Sequence, residues 1–125
     1  MTIKILLTGK NGQVGNELLK FMPRVGEVVA FDRHQLDLAK PEEIRQVIRG
    51  IRPNLIVNAA AYTAVDTAET DQANALAINA EGPRLLALEA KKLGAMLVHF
   101  STDYVFDGSK KAPYVETDPP NPLNA

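Results

Sequence analysis

The sequence contains no cysteine. That absence excludes a disulfide framework, a thiolate nucleophile and any cysteine-ligated metal centre. It accords with a reducing compartment, and a cytoplasmic setting is expected. A charge of one sign is also lacking: 14 Lys and Arg stand against 15 Asp and Glu, a formal net charge of −1, with no long like-charged block. Such a balance gives no electrostatic footprint for a nucleic-acid backbone or an anionic lipid surface, so neither is expected as a partner. No apolar run approaches membrane-spanning length, and "MTIKILLTGK" lacks a cleavage-type region, so it reads as a first strand. Internal repeats and low-complexity segments are absent. The two histidines, His34 and His99, have no companions at metal-ligand spacing. No metal site is expected; His34 reads as a loop residue and His99 as a strand residue.

The 125 residues are one domain's worth, and 46% hydrophobic with 23% charged is ordinary for a globular core. Strand and helix patterns alternate. Residues 3–8 form a nearly continuous apolar run, as in a strand buried on both faces. A helical segment follows, with Val14, Leu18, Phe21 and Met22 as its apolar positions and Pro23 closing it. Residues 27–32 read as a second strand and 36–38 as a very short third. Pro41 opens a helix whose Ile44, Val47, Ile48 and Ile51 fall at i, i+3, i+4 and i+7. Its start is weakened because "LAKP" has no capping side chain directly before the proline. Residues 54–59 are a fourth strand, 71–93 a helix with Gly82 and Pro83 inside it, and 95–101 a fifth strand. Four prolines in the last 13 residues, at 113, 119, 120 and 122, make the tail loop-like.

The alternation predicts an α/β fold: a Rossmann-type, doubly wound parallel sheet of about five strands in the order 3-2-1-4-5. Residues 1–108 would form a dinucleotide-binding domain and 109–125 a Pro-rich loop. In such sheets ligands bind beyond the carboxyl ends of the strands. The chemically distinctive segments all fall there: 9–15, Asp32, 58–62 and 101–104.

"TGKNGQVG" sets Gly9, Gly12 and Gly15 between a strand and a helix, with Asn11, Gln13 and Val14 between them. The first glycine allows a tight turn and the second lets backbone approach a pyrophosphate at the helix N-terminus. The third permits close helix packing. Asp32 follows the second strand, where a carboxylate can accept hydrogen bonds from ribose hydroxyls. Arg33 beside it could hold a 2′-phosphate that a bare Asp32 would repel, so NAD and NADP both fit. Asp37 and Leu38 are candidates for the adenine side, with Leu38 equally readable as core. In "NAAAYTAVD" the small residues, with Ala60, Ala61 and Tyr62 as contacts, let a planar ligand lie against backbone; packing a helix would need the same small residues. Pro83 cannot donate to the carbonyl of Asn79, leaving that oxygen for another partner or simply kinking the helix. Glu116 and Asp118, on the Pro-rich loop, read as solvated.

"TGKNGQVG", "NAAAYTAVD" and above all "STDYVFDG" with "ETDPPNPLNA" resemble the extended short-chain dehydrogenase/reductases, and within them the dTDP-4-dehydrorhamnose reductases of dTDP-L-rhamnose synthesis. The likeness runs over essentially the whole chain. It implies an NAD- or NADP-dependent reduction of the C4 keto group of a dTDP-sugar. It also implies that Thr102 hydrogen-bonds the substrate oxygen, and that Asp66 and Tyr104 face the sugar. A Tyr and a Lys in a Y-x-x-x-K helix, directly after a "PLN-x" stretch, complete the catalytic set in that family. The chain reads "NPLNA" and ends, so it is expected to be the cofactor-binding part of such an enzyme and inactive alone. Residues 95–101 are then expected to form an exposed sheet edge prone to self-association, unless the Pro-rich tail folds over it. Two rivals share parts of this pattern: a non-catalytic subunit like the regulatory subunit of methionine adenosyltransferase, and a nucleotide-sugar epimerase or dehydratase.

Overall fold

A computed structural model describes the chain from residue 1 to residue 125. Four parallel strands, β1 (Lys4–Thr8), β2 (Glu27–Phe31), β3 (Leu55–Asn58) and β4 (Met96–His99), form one sheet in the order β2-β1-β3-β4. The apolar run of β1 places it centrally, with Ile5, Leu6 and Leu7 wholly buried. Alternation along β1 divides the core in two. Leu6 packs with Leu36, Leu38, Ile56 and the inner faces of α2 (Pro41–Ile51) and α5 (Gly82–Leu93). Ile5 and Leu7 face the other way, onto Met22, Val57 and the Leu18 and Leu19 side of α1 (Gln13–Phe21). Helices therefore cover both faces, as expected of a doubly wound sheet.

The expected third strand at residues 36–38 is not a strand. Its backbone groups go to side chains instead of a ladder: Asp37 N–H donates to Glu43 Oε2 (3.2 Å) and Ala39 N–H to Asp37 Oδ1 (2.9 Å). Leu36 and Leu38 still drop into the core, from a turn. The sheet thus lacks the outermost member of the expected order and is otherwise as read. The same bond repairs the weak start of α2. Lys40 offers no side-chain cap, and Glu43, in the first turn, reaches back to the Asp37 amide.

The expected helix over residues 71–93 is interrupted. α4 (Gln72–Leu76) passes into a π-helical turn (Ala77–Glu81) before α5 begins. Pro83 has no N–H for the carbonyl of Asn79, and the Gly82 N–H reaches the carbonyl of Ala77, five residues back. Phe21 is not a core residue: it is exposed, and the 3₁₀ turn Met22–Arg24 brings Met22 inside in its place. A short α3 (Val65–Ala68) lies between β3 and α4. The last strand is shorter than residues 95–101, ending at His99. No helix is long and apolar enough to cross a membrane.

Candidate functional site

The glycine turn is built against its neighbours. Gly9 has φ +73°, a left-handed conformation that disfavours a side chain. A Cβ there would also stand 2.7 Å from the backbone of Ala59 and Ala60, so the turn and the loop after β3 lie against each other. A Cβ on Gly15 would collide with the carbonyl of Gly9, which seats the first turn of α1 on the glycine turn. Gly12 differs. Its φ of −77° suits any residue, and a Cβ there would meet only the Gly9 carbonyl at 3.4 Å. Neither backbone strain nor internal packing requires glycine at this exposed helix N-terminus. The nine-residue α1 has no side-chain cap and no acidic residue in its first turn, so its leading N–H groups, those of Gln13, Val14 and Gly15, have no capping side chain. Uncapped amides, a positive dipole end and open backbone at Gly12 are what an anionic phosphate requires.

Asp32 sits across from this turn, at the end of β2. Its Oδ1 accepts the amides of His34 (2.9 Å) and Gln35 (3.1 Å), while Oδ2 faces Asn11 Nδ2 at 3.5 Å. One oxygen is thus committed to the local turn and the other is directed to the glycine loop. Partial burial works to raise the carboxyl pKa, but the Gln35 and His34 amides and the nearby charges of Lys10 and His34 outweigh it and hold it below the ordinary value. Arg33 is exposed beside it.

The loop after β3 is held from the helix layer. Asn79 binds the backbone of Tyr62 at two points: Tyr62 N–H donates to Oδ1 (2.8 Å) and Asn79 Nδ2 donates to the Tyr62 carbonyl (3.0 Å). The Tyr62 hydroxyl donates to Asp71 Oδ2 (3.2 Å); desolvation first, then that carboxylate, raises its pKa. The Asn79 side chain therefore positions the loop instead of lying free for a cofactor. Ala60 N–H donates to Asn58 Oδ1 (3.3 Å), leaving the exposed Ala61 as the open part of the loop.

Beyond β4 the chain turns at Thr102, whose Oγ1 accepts the Tyr104 amide (3.2 Å) and starts the 3₁₀ turn Asp103–Val105. The Thr102 hydroxyl proton faces only a long contact with Asp103 Oδ1, 3.4 Å. Tyr104 and Asp66 are both exposed, Asp66 on α3. Farther on, Asp107 gathers the loop: it accepts Ser109 N–H (2.9 Å), Ser109 Oγ (2.7 Å), Tyr114 OH (3.2 Å) and Asn121 Nδ2 (2.8 Å). Asp118 accepts Lys110 Nζ (2.6 Å) and Val115 N–H (2.8 Å) and is a structural residue of this loop, not the solvated carboxylate expected.

The strand ends thus bring together Gly9, Asn11, Gly12, Gln13, Val14, Gly15, Asp32 and the loop 59–62. Thr102 stands at the end of the adjacent β4. Leu38 is not among them: its side chain is buried against Gly82 in the α2–α5 core. Asp37 Oδ1 accepts the Ala39 amide in the turn before α2. Sequence reasoning passed over Asp71, and it placed Asn58 at a strand end and His99 in a strand without linking them. Asn58 and His99 are in-register neighbours at strand ends, a placement foreshadowed only by their both falling last in an apolar run. Among all residues no His, Asp and Glu cluster could hold a metal ion.

The family described as RmlD substrate binding domain matches residues 3–125. The chain belongs to that family. It is 50% identical over 123 residues to the dTDP-4-dehydrorhamnose reductase of Burkholderia thailandensis, covering 98% of this chain and 41% of that protein. It is 46% identical over 126 residues to the enzyme of the same name from Escherichia coli K12, covering 98% and 42%. The chain spans about two fifths of the length of these curated relatives. Among solved structures, the Bacillus anthracis dTDP-4-dehydrorhamnose reductase in complex with NADP superposes with a TM-score of 0.93 at 40% identity, over 99% of this chain and 44% of that one. A Thermus thermophilus UDP-glucose 4-epimerase complex with NAD superposes at 0.84 with 23% identity, a likeness of fold.

Proposed function

We propose that these residues are the dinucleotide-binding part of a dTDP-4-dehydrorhamnose reductase. The observation that carries the reading is Gly12: a glycine needed neither for conformation nor for packing, at the uncapped N-terminus of α1. Its missing side chain leaves backbone open for a pyrophosphate. Gln13, Val14 and Gly15 would supply amides to it, Asp32 Oδ2 and Asn11 would meet the adenosine ribose, and Ala60, Ala61 and Tyr62 would bound the bases. NAD and NADP are both compatible with Asp32 and Arg33. The dinucleotide supplies a hydride. For a keto sugar at the site, Thr102 accepts the Tyr104 amide and keeps its own proton to donate to the substrate oxygen, stabilising negative charge as it forms. Tyr104 and Asp66, both exposed, would meet the sugar. No tyrosine within residues 1–125 is followed by lysine four positions on, so the proton donor implied by the family resemblance is not in this stretch. A dTDP-sugar substrate belongs to the same reading, which the family membership and the relatives' names support, and the lack of cysteine accords with a cytoplasmic setting.

Titration of the 125-residue chain with NADPH and NADH, followed by nucleotide fluorescence, tests it. Saturable binding is expected, and Gly12→Ala should weaken it at least about tenfold while leaving the melting temperature nearly unchanged. Equal affinity in Gly12→Ala would remove the assignment.

A further inference from the structure

We infer that His99 is a positioning residue for the dinucleotide site, acting through Asn58; this rests on the dinucleotide-binding reading above. Thr8, Asn58 and His99 are in-register partners on β1, β3 and β4, so their side chains leave the same face of the sheet. They form one line of hydrogen bonds across the strand ends. Thr8 Oγ donates to Asn58 Oδ1 at 2.6 Å, and Asn58 Nδ2 lies 3.0 Å from His99 Nδ1. Thr8 and Asn58 are each 1% exposed, and His99 closes the line at the open edge of the sheet.

The direction of the line follows from one fixed donor. The Ala60 N–H can only donate, and it points to Asn58 Oδ1 (3.3 Å). That pins the amide oxygen toward Ala60 and Thr8, so the buried Nδ2 faces His99 and must donate to it. His99 Nδ1 is then an acceptor, and the ring proton is on Nε2. Which tautomer a histidine adopts is set in this way by the hydrogen bond at its other nitrogen.

Thr8 stands immediately before Gly9 and Asn58 immediately before the loop 59–62, while His99 lies two residues before Ser101. Removing the acceptor at His99 would leave a buried amide N–H unpaired. Asn58 could recover a partner only by rotating, which would take its oxygen from the Ala60 N–H. Ala60 N lies where a Cβ on Gly9 would approach to 2.7 Å, so a shift there is felt at the glycine turn. His99 thus sets the loop and the turn without touching a ligand.

Nitrogen-15 spectroscopy of the labelled 125-residue chain reads the link directly. A through-hydrogen-bond coupling between Asn58 Nδ2 and His99 Nδ1 is expected, with Nε2 protonated. His99→Phe should shift the Ala60 amide resonance, lower the melting temperature by a few degrees and weaken NADPH binding by about tenfold, the scale of one unpaired buried donor. His99→Gln, which keeps an acceptor, should restore the Ala60 resonance and most of the affinity. Absence of the coupling with both nitrogens assigned, or a His99→Phe variant with unchanged Ala60 resonance and affinity, overturns the inference. A chain that binds no NADPH yet shows the coupling and the Ala60 response would instead sink the dinucleotide reading and leave the placement of Ala60 by His99 standing.

Discussion

Arg49 on α2 grips Glu89 on α5 through two parallel bonds, Nε to Oε2 at 2.9 Å and Nη2 to Oε1 at 3.1 Å. Lys92 adds a third at 2.7 Å, and the Glu89 side chain is only 3% exposed while both cations remain largely in solvent. The Arg49 bonds, then Lys92, outweigh burial and push the Glu89 carboxyl from the ordinary 4.5 to about 2. A carboxyl depressed by folding contributes stability above its unfolded pKa and loses it as the pH falls through the folded one. The contribution should be complete above about pH 4.5 and fade toward pH 2. Glu89→Gln should cost roughly 1 to 2 kcal/mol near neutrality, since the two cations it leaves behind are solvated. Urea melts should show the gap from the wild type closing between pH 5 and pH 2; a gap independent of pH would refute the ionic account.

Asp32 tests cofactor choice. Asparagine at this position keeps an oxygen for the His34 and Gln35 amides, so the local turn survives while the charge is lost. The removed charge no longer repels a 2′-phosphate, and Arg33 is still beside it. Asp32→Asn should therefore lower affinity for NADH and leave or improve that for NADPH, changing their ratio by about tenfold. Calorimetry giving parallel losses for both nucleotides would count against a ribose contact.

What the sequence disclosed about this fold was its periodic part. The run in β1, the i, i+3, i+4, i+7 spacing in α2 and the three glycines after a strand each reflect one local physical demand, and each appears where expected. The misread segments are those where a distant group decides. Residues 36–38 look like a strand until Glu43 takes the Asp37 amide. Leu38 could face a ligand or the core, and Gly82, 44 residues on, opens the space that lets it pack inside. Pro83 drew attention to the Asn79 carbonyl, while the clamp its side chain makes on Tyr62 had no signal in the sequence. The link between Asn58 and His99 went unread because a line of hydrogen bonds across three strands leaves no mark in any single segment.

The loop after β4 owes its shape to one carboxylate. Asp107 collects Ser109, Tyr114 and Asn121, and Phe106 stacks on the Tyr114 ring at 4.2 Å. The Ser109 side chain and amide, then Asn121, hold its carboxyl well below the usual carboxylate range. The loop should therefore stay ordered across the whole physiological range and loosen only in strong acid. Asp107→Ala should open it at neutral pH and speed tryptic cleavage at Lys110 and Lys111 about tenfold, with little change in global melting. Equal cleavage rates would mean that the loop is held by other contacts.

The edge of the sheet makes the last prediction. β4 pairs only with β3, so the outer backbone groups of Met96–His99 have no ladder partner. Met96 is 67% exposed, Val98 39% and Phe100 47%. The Pro-rich tail leaves these side chains exposed: its bonds run to Val105 and Asp107, and its last amide goes to Glu69 at the end of α3. An unpaired strand with apolar side chains is a template for a second chain. The 125-residue chain should accordingly self-associate, through this edge, in sedimentation velocity runs over a concentration series. Val98→Lys places a charge on the exposed strand and should shift the chain to monomer, with the melting temperature preserved because Val98 is outside the core. A wild type that stays monomeric at every concentration, or a Val98→Lys variant that associates equally, would show that this edge is not the contact.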